Sequence, residues 1–146
     1  ISEKYLSSQY GAHGITSFYI LKDNLFFGVG NKNFRYECNN YTYEISKKFN
    51  YKLKNLGCGN HPHQIWYELL SEHGLIGTFL ILFIFYQVIK VRLLKRDLYI
   101  QNVMALIYIL NLFIPIIPSG SIFSSYSSSI LWINVAIFIT EFKKLK

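Results

Sequence analysis

No charged residue occurs between Asp97 and Glu141, so the 43 residues from Leu98 to Thr140 form one uncharged tract. A single helix needs ~20 apolar residues to cross a bilayer, and this tract is long enough for two spans with a turn between them. A second charge-free run, Gly74 to Ile89, lies upstream; its 16 residues make ~24 Å of helix, slightly short of the hydrocarbon thickness. Together the two runs predict an all-α integral membrane protein. Its three C-terminal transmembrane helices are expected at roughly Leu69–Val91, Ile100–Ile117 and Phe123–Thr140, preceded by a periplasmic loop region with short helices. The chain divides accordingly into residues 1–60, a loop region with an interfacial helix, and 61–146, a histidine-motif helix and a three-span bundle. Asn111 interrupts the second span, where it is expected to bond to a neighbouring helix. Pro115 and Pro118 break that span near its end.

Charge placement sets the expected orientation. Lys90, Arg92, Lys95 and Arg96 form one short basic cluster, and Lys143, Lys144 and Lys146 another. Short loops rich in Lys and Arg stay cytoplasmic, and three spans put both clusters on that side. Residues 1–60 and the turn near Pro118 then lie on the periplasmic face. The net charge of +7 sits largely at membrane-flanking positions, so membrane lipids are expected partners and nucleic acid is not. The chain opens at Ile1 without a signal peptide and is expected to be the C-terminal piece of a longer polytopic protein.

The first 60 residues are turn-rich. Ser7 to Leu21, aromatic and free of formal charge, reads as a helix despite Gly11 and Gly14. Asn24 to Asn33 reads as a connector. Its lone Gly28-Val29-Gly30 fits either a phosphate cradle or a tight turn at positive φ. Asn33 to Glu37 reads as a short helix presenting Arg35, and Asn39 to Asn60, polar and without helical periodicity, as an extracytoplasmic loop. Cys38 and Cys58 bracket that loop. On an oxidising face they favour a disulfide, with two free thiols as the alternative; metal binding by two Cys and two His has poor spacing.

The stretch from Gly57 to Gly77 carries the chemistry. Pro62 suits the first position of a helix. That makes His61 the N-cap, His63 the second helical residue and Gln64 the third, reaching back towards the cap. The helix is expected to run straight on into the bilayer. His61 and His63 have three readings: interfacial residues at a helix start, metal ligands with Glu68 or Glu72, or an acid/base pair. The metal reading ranks last, because no His-x-x-x-His spacing occurs. The acid/base reading draws on the helix N-terminus, which disfavours an imidazole cation and favours a nearby anion. Glu68 and Glu72, four apart on one face, would repel each other mildly and read as structural, orienting a histidine or pairing with another helix. Trp66 and Tyr67 read as an interfacial belt.

His61-Pro-His-Gln, then Tyr67-Glu-Leu-Leu-Ser-Glu-His-Gly74, Leu-Ile-Gly77 and an apolar run resemble the core motif of the O-antigen ligase and polymerase family. Upstream, Lys22-Asp-Asn-Leu-Phe-Phe-Gly-Val-Gly-Asn-Lys-Asn-Phe-Arg35 is similar to a second family segment. Downstream, Pro118-Ser-Gly-Ser-Ile-Phe123 is similar to the family's turn between its last helices. The arginine that members often carry near the start of the first helix is not visible, and Gln64 stands where Asn is more common. The resemblance implies glycosyl transfer from a polyprenyl-diphosphate-linked glycan to lipid A–core, as an O-antigen ligase performs it. An O-antigen polymerase joining carrier-linked repeat units is the alternative within the family. A non-catalytic membrane subunit that binds the lipid-linked glycan is the alternative outside it. The implied site has His63 and His61 as catalytic residues, Arg35, Gln64, Glu68 and Glu72 as the substrate-binding set, and no metal or cofactor. Its implied place is the periplasmic face of the bacterial inner membrane, with this piece inactive by itself.

Overall fold

Helix α3, Ile65–Leu94, is broken at Gly74, which has φ 62° and ψ −167°. In an unbroken helix the carbonyls of Ser71 and Glu72 would accept from the amides of Leu75 and Ile76. Here they accept from Val29 N–H at 3.0 Å and Gly30 N–H at 2.8 Å, while Leu75 and Ile76 donate to the carbonyls of Leu25 and Phe26 at 2.9 and 3.1 Å. The loop 25–30 is thus spliced into the helix, and the four groups freed by the break all find partners. Gly28, at φ 65°, and Gly74 meet backbone to backbone. A Cβ on Gly74 would lie 2.6 Å from the Gly28 nitrogen, and one on Gly28 would lie 2.4 Å from the Glu72 carbonyl carbon. Only glycine provides both the conformation and the space.

The break overturns the expected straight helix. Ile65 and Leu69, before it, pack with Ile81, after it, and with Ile122. The Phe113 ring touches both Trp66, at 6.0 Å between centroids, and Phe85, at 5.3 Å. Along a straight helix those two residues would be ~28 Å apart. The leading segment 65–73 is therefore folded back beside the long segment 75–94.

The computed structural model describes residues 8–49, 57–95, 97–115 and 117–141. Among them all regular structure is helical: α1 Gln9–Asp23, α2 Phe34–Phe49, α3, α4 Ile100–Leu112 and α5 Ser125–Ile139. Among the described residues α3 alone is, by length and composition, apolar and long enough to cross a membrane, and its segment after the break makes ~30 Å. Helices α4 and α5 have 13 and 15 residues, ~20 and ~22 Å, shorter than the spans expected there. Pro115 ends α4 early, because the residue before a proline is pushed out of the helical region and proline itself has no N–H. Ser124 starts α5 late, its hydroxyl capping Ser127 N–H at 3.2 Å.

Ala105 and Ile109 of α4 pack on Leu131, Val135 and Phe138 of α5, with Phe85, Val88 and Ile89 of α3 against them. The far end of this bundle is closed by Arg92, a member of the first basic cluster that is only 2 % exposed. Its guanidinium donates to the Phe138 carbonyl, to Asp97 and to the Asn102 side chain. The Asn102 amide in turn donates to the carbonyls of Ile137, Phe138 and Thr140 at 2.9 to 3.1 Å. These groups satisfy the carbonyls that the C-terminus of α5 leaves unpaired. Asn102 makes the interhelical bonds that Asn111, exposed on α4, was expected to make.

Helix α1 falls where the sequence places it. Helix α2 continues through Phe49, so the extracytoplasmic loop expected from Asn39 is helical over its first half. Phe34 and Cys38 are buried against Ile20 of α1, with Tyr41 beside them. That is an i, i+4, i+7 stripe that the surrounding polar residues mask. Cys38 and Cys58 are joined in a disulfide, Cα atoms 5.2 Å apart, which ties α2 to the turn before the histidines.

Candidate functional site

The histidine turn precedes its helix rather than opening it. Gln64, not His61, is the N-cap: its side-chain oxygen accepts from Tyr67 N–H at 2.9 Å. His63 sits at φ 54°, the left-handed region that a residue with a Cβ enters only when its surroundings hold it. Three bonds to the segment after α4 do that holding. Ser119 N–H donates to the His63 carbonyl at 2.9 Å, the Gln64 amide to the Pro115 carbonyl at 3.0 Å, and the Trp66 indole to the Phe113 carbonyl at 2.9 Å. The first helical turn thus begins after His63, because Gln64 supplies the cap and the turn is anchored sideways.

The His63 ring lies among three others. His61 is 4.2 Å away between centroids, and His13 of α1 is stacked on it at 5.4 Å with planes 9° apart. Tyr10, one turn earlier on α1, meets it edge-on at 6.3 Å. His63, Gln64, Tyr10, Tyr67 and the prolines Pro62, Pro115 and Pro118 border a cavity of about 320 Å³, large enough for part of a small organic ligand. His13 is fully buried. Burial first, then the neighbouring His63, pushes its pKa down, and the backbone of Pro62 and Cys58 opposes this. His61 is pushed down likewise, by burial first and then by His63. Both are thereby held neutral near pH 7.

Neither carboxylate orients a histidine. Glu68, fully packed, accepts from the Ser121 hydroxyl and from Ile122 N–H at 3.1 Å. Glu72 accepts from Lys32 N–H at 2.7 Å and from Phe34 N–H at 3.2 Å, so it caps the N-terminus of α2. Both were expected in a substrate-binding set; the structure uses their oxygens to fasten the 118–123 turn and the 24–35 connector to α3. Gln64 borders the cavity, but its amide groups are engaged by Tyr67 and Pro115. Arg35 is exposed at the start of α2, its guanidinium 4.9 Å from the Tyr36 ring centre, and it does not border the cavity. The Gly28-Val29-Gly30 pair forms the tight turn of the splice, and its amides at Val29 and Gly30 donate to protein carbonyls. Among the described residues no group of three or more His, Cys, Asp or Glu is placed to hold a metal ion.

His13 and Tyr10 are the site residues that the sequence reading missed. The available signal was a stripe: Ala12, His13, Thr16, Ser17 and Ile20 are the buried face of α1, and a histidine on such a face needs a reason. No protein-family model, curated protein or solved structure matches this chain.

Proposed function

We propose that this chain is part of an O-antigen ligase-like membrane glycosyltransferase, with segment 75–94 crossing the bacterial inner membrane and the histidine turn on the periplasmic face. In this reading α4 and α5 complete a three-helix membrane bundle. The observation that supports it is convergence. The three separate stretches of family-like sequence, 22–35, 61–77 and 118–123, are fastened to one another by Glu68, Glu72, the spliced loop and the Ser119–His63 bond. Stretches 61–77 and 118–123 border the histidine cavity, and 22–35 is held to the same helix.

In the proposed reaction the acceptor sugar hydroxyl enters the cavity and gives its proton to a ring nitrogen of His63. Its oxygen bonds to the anomeric carbon of the donor glycan, and the carbon–oxygen bond to the polyprenyl diphosphate breaks. The leaving diphosphate takes the bonding pair. The neutral His13 and His61 flank the base without adding positive charge beside it. A positioned general base of this kind contributes roughly 10²–10⁴-fold in rate.

Deleting the gene and separating the host lipopolysaccharide by gel tests the reading. Loss of polymer from lipid A–core, with unattached long polymer accumulating, is the expected pattern. Core carrying single repeats assigns a polymerase instead, and a normal ladder contradicts both.

A further inference from the structure

The loop that splices into α3 also presents three large apolar side chains outward: Leu25 is 42 % exposed, Phe26 61 % and Phe27 75 %. Three consecutive exposed apolar side chains, two of them aromatic, on a backbone pinned by four hydrogen bonds are not an incidental surface. Their depth is fixed by those bonds. Leu75 and Ile76 donate to the carbonyls of Leu25 and Phe26, which sets the loop level with the first turn of the long segment of α3. On that segment Leu75, Ile76, Phe79 and Leu80 are themselves exposed, and only 11 % of its apolar stretch is buried within the protein. The loop and the helix therefore present one continuous apolar surface.

Charge marks its edges. No charged residue occurs between Asp23 and Lys32, while Lys22 and Lys32, both exposed, stand at the two ends of the loop. Long cationic side chains flanking aromatic residues suit the boundary between acyl chains and headgroups, where the aliphatic stem stays in apolar surroundings and the ammonium reaches anionic lipid.

We infer that Leu25–Phe27 is a membrane-inserted wedge, its side chains among the acyl chains of the outer leaflet beside Leu75 and Ile76. The wedge rests on the proposal that segment 75–94 spans the bilayer, and adds that the connector before α2 is seated in lipid rather than in water. Because Glu72 and the splice join this connector to α3, the wedge also fixes the height of α1, and with it His13, above the membrane.

Nitroxide labels test it in the full chain, reconstituted in phosphatidylethanolamine/phosphatidylglycerol vesicles with the Cys38–Cys58 bond kept oxidised. Labels go on Phe26→Cys and Phe27→Cys, with Phe79→Cys as the reference in lipid and Asn39→Cys, exposed on α2, as the reference in water. The expected result is a collision ratio of oxygen to water-soluble nickel chelate above one at positions 26, 27 and 79, and below one at 39. A ratio below one at 26 and 27, with 79 still above one, overturns the wedge and leaves the span standing. Protection of 26 and 27 from both probes means that protein covers them and also overturns the wedge. A ratio below one at 79 removes the span, and the wedge with it.

Discussion

Replacing Gly74 by alanine attacks the feature that shapes the whole chain. The new Cβ would lie 2.6 Å from the Gly28 nitrogen and 2.6 Å from the Phe26 carbonyl group, both backbone, so neither can swing away. Alanine at φ 62° and ψ −167°, a combination essentially confined to glycine, also costs ~1–3 kcal/mol. Relief by straightening the helix regains ~1 kcal/mol of helix propensity. It exchanges four cross-chain hydrogen bonds for two within the helix, a net loss of two at ~1 kcal/mol each, and carries Trp66 away from Phe113. Either route leaves Gly74→Ala about 2 kcal/mol or more less stable, a fall in Tm of about 5 °C or more for a chain of this size. Thermal unfolding in detergent, followed by circular dichroism, reads it directly. Gly120→Ala is the control, since its Cβ would meet only the Ser127 hydroxyl at 3.4 Å, and it should unfold with the parent. A Gly74→Ala protein within ~1 kcal/mol of the parent would refute the splice as an organising element.

Asn102→Leu removes the donor to the carbonyls of Ile137, Phe138 and Thr140 and the acceptor for Arg92; it should cost about 2–4 kcal/mol, whereas exposed Asn111→Leu should cost almost nothing in the same unfolding assay. Opening the Cys38–Cys58 bond, whose partners are 20 residues apart, should cost ~3 kcal/mol in the chain-entropy account. Parent protein should take up no alkylating reagent until reduced, and two freely labelled thiols in untreated protein would contradict the bond. Because burial first, and then His63, lowers the pKa of His13 from its ordinary 6.5, the unfolded chain binds more protons below that pH. Stability is therefore complete above pH 6.5 and falls as pH drops towards the folded value. His13→Phe should flatten this dependence in unfolding curves, and an unchanged pH profile would dispose of the buried neutral histidine.

Much of the helical architecture was legible because it is local. Charge-free runs mark α3, α4 and α5, Pro115 marks the end of α4, and the glycines around Val29 mark a turn. What escaped depends on contacts between distant residues. The break at Gly74 resembles any glycine in an apolar helix until the 25–30 loop is beside it, and Glu68 and Glu72 find partners 38 to 54 residues away. Helix α2 was hidden because its apolar stripe is only one residue wide amid Asn, Tyr and Lys, and its stability comes from α1, Glu72 and the disulfide. Within the site, His61 and His63 announced themselves by their motif. His13 did not, because a single histidine in an aromatic helix acquires meaning only when α1 lies against the turn.

Whether His63 is the base of the proposed glycosyl transfer is tested most directly by single substitutions in the protein as its host makes it. Membranes carrying each variant are supplied with polyprenyl-diphosphate-linked glycan and lipid A–core, and the initial rate of transfer is measured beside the variant's abundance. His63→Ala should lower the rate by roughly 10²–10⁴-fold at unchanged abundance, with a smaller loss for His61→Ala. Loss with His61→Ala alone would reverse the two roles. Parental rates from both variants would contradict a catalytic histidine turn altogether.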